Sequence, residues 1–160
     1  CHRHPYATRG MTSFKQPLSV LVVIHTPALE VLLLERAAHP GFWQSVTGSR
    51  EDDEALLATA RREVAEETGI DTVRYPPVDW RITNTFEIFS EWRHRYAPGV
   101  TQNTEHVFGL EVPGPLEIKV APDEHRDWTW MPWREAAARC FSWSNRDAIL
   151  LLPQRLARGT

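Results

Sequence analysis

At 160 residues and a formal net charge of −3, the chain has the size of one domain with a single core and lacks the basic footprint of a nucleic-acid-binding protein. Its longest apolar run, residues 18–24, is interrupted by Ser19 and is far too short to cross a bilayer, so neither nucleic acid nor membrane is expected as a partner. Cys1 and Cys140 stand far apart with no CxxC or CxxH pattern, which argues against a zinc site or a disulfide framework. No signal-peptide pattern opens the sequence, and a cytoplasmic setting is expected.

The opening "CHRHPYATRG" has no apolar periodicity, and Met11 follows it directly. Residues 1–10 therefore read as a non-native or disordered extension, with Met11 as the native start and 11–160 as a single domain. "PLSVLVVIH" (17–25) and "EVLLLER" (30–36) are two strands joined by a short turn at Thr26-Pro27. "FWQSVTGS" (42–49) is a short strand or loop. A helix follows from about Glu54 to Thr68, with Asp52 or Asp53 as its N-cap and Gly69 as its stop. Residues 80–90, 104–112, 116–120 and 127–131 read as β. Residues 132–140 and 144–156 read as helices, the second capped by Ser144 or Asn145 and disturbed by Pro153. The sum is an α/β (α+β) domain whose mixed sheet is covered by helices.

The first helix carries the chemistry. With Val64 at zero on a helical wheel, Leu57, Ala60 and Val64 form an apolar stripe within about 40°. Glu63, Glu66 and Glu67 span an arc of about 100°, its near edge about 60° from Val64. The carboxylates thus border the buried face, while Arg62 lies opposite the stripe and can pair with Glu66. Glu63 and Glu67 are like charges at i,i+4, a mildly unfavourable pairing. Two readings fit: a solvated acidic edge, or oxygen ligands gathered for a divalent cation such as Mg²⁺.

The wider frame runs G-x5-E-x7-R-E-U-x-E-E-x-G-U, with U aliphatic, on Gly48, Glu54, Arg62, Glu63, Val64, Glu66, Glu67, Gly69 and Ile70. This resembles the signature of the Nudix hydrolases, which cleave a nucleoside diphosphate linked to another group. The resemblance implies a Nudix-type α/β/α sandwich and a loop–helix–loop whose Glu63, Glu66 and Glu67 bind Mg²⁺, or Mn²⁺ in its place. It casts Glu54, Arg62, Glu63 and Glu66 as catalytic: Arg62 orients a glutamate, Glu54 braces the loop, and Glu63 or Glu66 is the base. Asp53 stands where many members have glycine, so a changed loop shape is expected. Glu51 and Asp52 read as solvated, and His39, His94, His106 and His125 as non-ligands, since they lack regular spacing.

"FWQSVTGS" (42–49), "FEIFSEWRHRYAPGVTQNTE" (86–105) and "SWSNR" (142–146) resemble one branch of that family more narrowly, over residues 15–146. Members of that branch remove pyrophosphate from 7,8-dihydroneopterin triphosphate in bacterial folate synthesis. The likeness implies Glu124 as a further metal ligand beside Glu63 and Glu67. It implies Lys15, Arg36, Thr47, Phe86, Glu87, Ile88, Phe89 and Ser142 as substrate contacts. Taken without it, Lys15 is a solvated charge leading a strand, Arg36 a salt-bridge partner of Glu35 or another acid, Thr47 and Ser142 turn hydroxyls, and Phe86 and Phe89 core residues. Arg36 and the Arg93–Arg95 stretch suit phosphate oxygens, and Trp92 and Tyr96 offer stacking faces. The competing readings are a hydrolase of nucleoside triphosphates, such as dATP or an oxidised purine nucleotide, and a nucleotide-binding module without catalysis.

Overall fold

The computed structural model describes residues 14–157; the extension read at 1–10, with Cys1, and the start read at Met11 lie outside the described residues. Runs of Val, Leu and Ile fit a pleated surface covered on both faces. They form β1 (Leu18–His25), almost wholly buried, and β2 (Glu30–Arg36), buried from Val31 to Leu34. β3 (Trp43–Gln44) and β4 (Val46–Ser49) come next, then α1 (Leu56–Thr68) and β5 (Val78–Glu87). A 3-10 turn at Ser90–Arg95 leads to β6 (Gln102–Glu111) and β7 (His125–Pro132). The chain ends in α2 (Trp133–Arg139), α3 (Trp143–Leu150) and α4 (Leu152–Ala157).

The strands form one seven-stranded mixed sheet in the order β3-β2-β1-β6-β5, with β4 paired to β1 and β7 to β2. β1 and β6 run parallel in register from Leu18↔Thr104 to His25↔Glu111, and the other pairs are antiparallel. Because side chains alternate along a strand, β1 feeds two cores. Val20, Val22 and Ile24 pack with Ala60 and Val64 of α1. Leu21 and Val23 pack with Ala136, Ala148 and Ile149 of α2 and α3. The result is the α/β/α layering that the family resemblance implies. Among the described residues no helix is long and apolar enough to cross a membrane.

Three elements differ from expectation. Residues 116–120 form no strand: Lys119 N–H donates to the Thr68 carbonyl at the end of α1, and the Trp130 indole donates to the Leu116 carbonyl. Those groups serve a helix end and a side chain instead of a ladder. The N-cap of α1 is Ala55, with no side-chain cap. Asp52, not Asp53, takes the left-handed conformation, with φ of 52°. α3 is capped by Ser142, whose Oγ accepts from Asn145 N–H at 3.2 Å, and the break before α4 falls at Leu151. Gly69 ends α1 as expected, in the left-handed region at φ 77°.

Candidate active site

The buried face of α1 comprises Thr59, Ala60, Glu63, Val64, Glu67 and Thr68. Leu57, expected in the apolar stripe, is 42% exposed. The helix is therefore rotated from its wheel prediction, and Glu67 lies at the middle of the buried face instead of its border. Two carboxylates inside a helix interface need neighbours that make their burial tolerable.

Arg62 supplies part of this. Its guanidinium meets Glu54 through Nη2–Oε1 at 2.6 Å and Nε–Oε2 at 3.2 Å, a two-pronged charged pairing. It also donates to the Ser49 carbonyl at 3.1 Å and to Glu63 Oε2 at 3.0 Å. Glu66 Oε1 and Glu51 Oε2 lie 3.6 and 3.7 Å from the same group. Glu54 in turn accepts from Glu51 N–H and from the Thr59 hydroxyl, which ties the loop to the helix. The Arg62 hydrogen bonds hold the Glu54 carboxyl down at about 2. Glu51, read as solvated from sequence, belongs to this network, whereas Asp52 is exposed.

Glu63 and Glu67 face each other and hydrogen-bond. Burial, and for Glu67 also the charges of Glu63 and Glu124, pushes both carboxyls up from their usual range. Glu67 accepts from the Thr47 backbone N–H, but its Oε1 is buried with no hydrogen-bond partner. Glu63 reaches this position only because residue 48 is glycine: a Cβ there would meet the Glu63 carboxyl carbon at 2.0 Å. A buried pair of carboxyls with an orphaned oxygen is a donor set suited to a hard divalent cation. Among the described residues no three acidic, histidine or cysteine groups are already gathered at ligand spacing.

The pair opens into a cleft of about 1220 Å³. Glu63, Glu66, Glu67 and Glu124 line it, and so do Lys15, Arg36, Thr47, Phe86, Glu87, Ile88, Phe89 and Ser142. These twelve residues come from β2, β4, α1 and β5 and from the segments between elements, yet they share one cavity. Arg62 and Glu54 stand behind the wall. Arg36 lies under the Trp92 ring, its guanidinium carbon 5.0 Å from the centroid, while Glu35 pairs with Arg126 instead. Thr47 donates its hydroxyl to the Val20 carbonyl at 3.0 Å. Arg93 is turned away, donating to the Ile88 carbonyl at 3.0 Å, so within the Arg93–Arg95 stretch it is Arg95 that lines the cleft.

Several lining groups were given no place in the site by the sequence, His125 among them, which was read there as a non-ligand. His125 is 3% exposed and 4.0 Å from Glu67; burial, with the Arg36 charge, pushes it down to about 4 and keeps it neutral. Asn145 clamps Ser45, accepting from its N–H at 2.7 Å and donating to its hydroxyl at 3.0 Å. Ser19, Asn103 and Glu105 form the cleft floor.

A model of the NUDIX domain matches residues 15–152. The dihydroneopterin triphosphate diphosphatase of Escherichia coli (strain K12) is 48% identical over 139 residues, covering 85% of this chain and 91% of that protein. The Haemophilus influenzae protein of the same name is 39% identical over 142 residues, covering 87% and 89%. The solved structure of the E. coli dihydroneopterin triphosphate pyrophosphohydrolase superposes with a TM-score of 0.80 over 85% of this chain and 94% of that one.

Proposed function

The chain belongs to the Nudix family, and from that premise we propose that it converts 7,8-dihydroneopterin triphosphate to the monophosphate and pyrophosphate in the cytoplasm. It is an enzyme acting on pyrophosphate bonds, as the relatives' names and the shared domain establish. The observation that carries the substrate reading is the convergence on one cleft of the Glu63–Glu67 pair, the cations Lys15, Arg36 and Arg95, and the aromatic Phe86 and Trp143. A molecule with a polyanionic end and a flat heterocyclic end matches that division.

Nudix hydrolases generally use divalent metal ions. In this reading Glu63, Glu67 and Glu124, with Glu66, would hold Mg²⁺ or Mn²⁺, which when bound neutralises phosphate charge and lowers the pKa of a bound water. Arg62 holds Glu63 in place and, through Glu54, fixes the loop that carries Gly48. Glu63 is committed to Arg62 at 3.0 Å, so we assign proton acceptance from the attacking water to Glu66, on the solvent side of the helix. Lys15, Arg36 and Arg95 grip phosphate oxygens. Thr47, Ser142 and the Phe86–Phe89 backbone position the substrate's organic part.

Attack falls on the phosphorus nearest the pterin side chain, because the products are monophosphate and pyrophosphate. Hydrolysis in ¹⁸O-labelled water is expected to place label in the monophosphate. Label confined to pyrophosphate would contradict the assignment.

A further inference from the structure

Arg36 enters the cleft from the end of β2, where the ladder with β7 shifts register between Glu35 and Arg36. A bulge of this kind re-aims the side chain at the break. Glu35 pairs with Arg126, whereas Arg36 turns to two neutral groups. Its Nη1 donates to Gln44 Oε1 at 3.3 Å, and its guanidinium carbon lies 5.0 Å from the centre of the Trp92 ring. Arg36, Gln44 and Trp92 all line the cleft. A ring face and an amide oxygen hold a guanidinium without cancelling its charge, as a carboxylate would. The cation is therefore fixed in place and still free to meet an anion.

Trp92 is itself braced by rings from separate parts of the chain. His39 meets it at 5.6 Å and 61°, Phe89 at 5.0 Å and 42°, and Phe141 edge-on at 6.4 Å and 88°. Phe42 stacks on His39 at 5.3 Å and on Phe141 at 4.7 Å, which closes the set. These rings come from the loop between β2 and β3, from the entry to the 3-10 turn and from the link between α2 and α3. Trp92 N–H also donates to the Phe89 carbonyl at 2.9 Å. Tilted and edge-on rings at these separations attract one another, so the indole is a fixed surface over the arginine. A long side chain left free would lose rotamer freedom each time it gripped a phosphate, and one already held loses less.

We propose that Trp92 is a positioning residue for the phosphate grip: its ring, with Gln44 at the other contact, holds the Arg36 guanidinium ready for the triphosphate. The ring serves the arginine instead of stacking on the substrate's heterocycle. This rests on Arg36 binding phosphate as described above, and not on which organic group the phosphates carry.

The test measures binding of inorganic tripolyphosphate, which has the charged tail of the substrate and no ring, to the whole chain by calorimetry in Mg²⁺. Trp92→Ala is expected to weaken binding about tenfold, the scale of a partly desolvated cation–π contact. In an Arg36→Ala background the same change is expected to cost less than about twofold, because the group that it holds is gone. Trp92→Phe keeps a ring face and should recover most of the loss. Trp92→Leu keeps apolar bulk without that face and should not, and it takes the place of alanine in the cycle if alanine fails to fold. Unchanged tripolyphosphate affinity in Trp92→Ala overturns the proposal, as a ring that stacked only on the heterocycle would give that result. Equal losses with and without Arg36 overturn it too. Native affinity in Arg36→Ala alone removes the phosphate grip and the proposal with it. A chain that shows the expected cycle yet leaves dihydroneopterin triphosphate uncleaved would support the role of Trp92 and sink the substrate assignment of the previous subsection.

Discussion

Gly48→Ala isolates one contact. The backbone at Gly48 is not left-handed, so alanine is permitted there, and the atoms nearest the new methyl belong to the Glu63 side chain. The built Cβ lies 2.0 Å from the Glu63 carboxyl carbon and 2.1 Å from Oε2, where ordinary contact begins at 3.4 Å. The carboxyl must therefore retreat by about 1.4 Å (3.4 less 2.0), away from Glu67 or from the Arg62 bond at 3.0 Å. A flexible side chain can make that move at modest expense. Loss of one charge-assisted hydrogen bond, partly offset by better solvation of the carboxylate, costs about 1–2 kcal/mol. Melting should fall by roughly 2–8 °C for a domain of this size. Activity should suffer far more, since a misplacement near 1 Å lowers rates on the order of 10²-fold, about 2.7 kcal/mol of barrier. The assay pairs calorimetric melting with steady-state pyrophosphate release, and adds Glu63→Gln alone and combined with Gly48→Ala. Strong non-additivity is expected, because both changes act through one carboxyl. Near-native kcat/KM in Gly48→Ala, or additive losses in the double variant, would refute the claim that this glycine exists to seat Glu63.

Acid should weaken the fold through two groups. Arg62 holds Glu54 at about 2, below its ordinary 4.5, so the stabilisation is present above about 4.5 and fades as pH falls toward 2. His125 is held near 4 against an ordinary 6.5, so the unfolded chain takes up its proton first and stability declines from 6.5 to 4. The Glu63, Glu67 and Glu105 carboxyls, pushed up by burial, act in the opposite sense, so the test is the difference between two proteins. Between pH 4.5 and 3.5 the urea midpoint of Glu54→Gln should fall less than that of the native chain, and parallel curves for both would dismiss the Arg62 clamp. Gly69→Ala forces a side chain into φ 77° at the end of α1 and should cost about 1 kcal/mol while leaving kcat/KM intact. A loss of activity without a loss of stability there would place Gly69 in the chemistry.

What the sequence revealed and concealed follows from range. β1 and β2 were legible because seven or eight residues of local composition decide them. The Gly48–Ile70 frame was legible because its spacing is set within one loop and one helix. Residues 116–120 have a strand's composition, but their backbone partners, Thr68 and Trp130, come from elsewhere in the chain. The wheel placed the carboxylates at a border because it ranks faces by hydrophobicity. In the fold, Thr59 and Thr68 take the buried side with Ala60 and Val64, and Leu57 is left in water. No local pattern could show that Glu67 is central, because its burial depends on Gly48, Thr47 and the Arg62 network. The pairing of Ser45 with Asn145 spans 100 residues and was equally hidden. Helix caps were missed by a few residues: α1 starts after Ala55 with no side-chain cap, Glu54 being taken up by Arg62, and Ser142 instead of Ser144 caps α3.

The measurement that bears most directly on the central claim is pyrophosphate release from dihydroneopterin triphosphate by the native chain and by Glu67→Gln, titrated with Mg²⁺. Release by the native chain should depend on the cation, and the variant should be folded, severely slowed and displaced to higher Mg²⁺. Near-native turnover by Glu67→Gln at low Mg²⁺, or native turnover that persists in excess chelator, would contradict a cleft built around the Glu63–Glu67 pair.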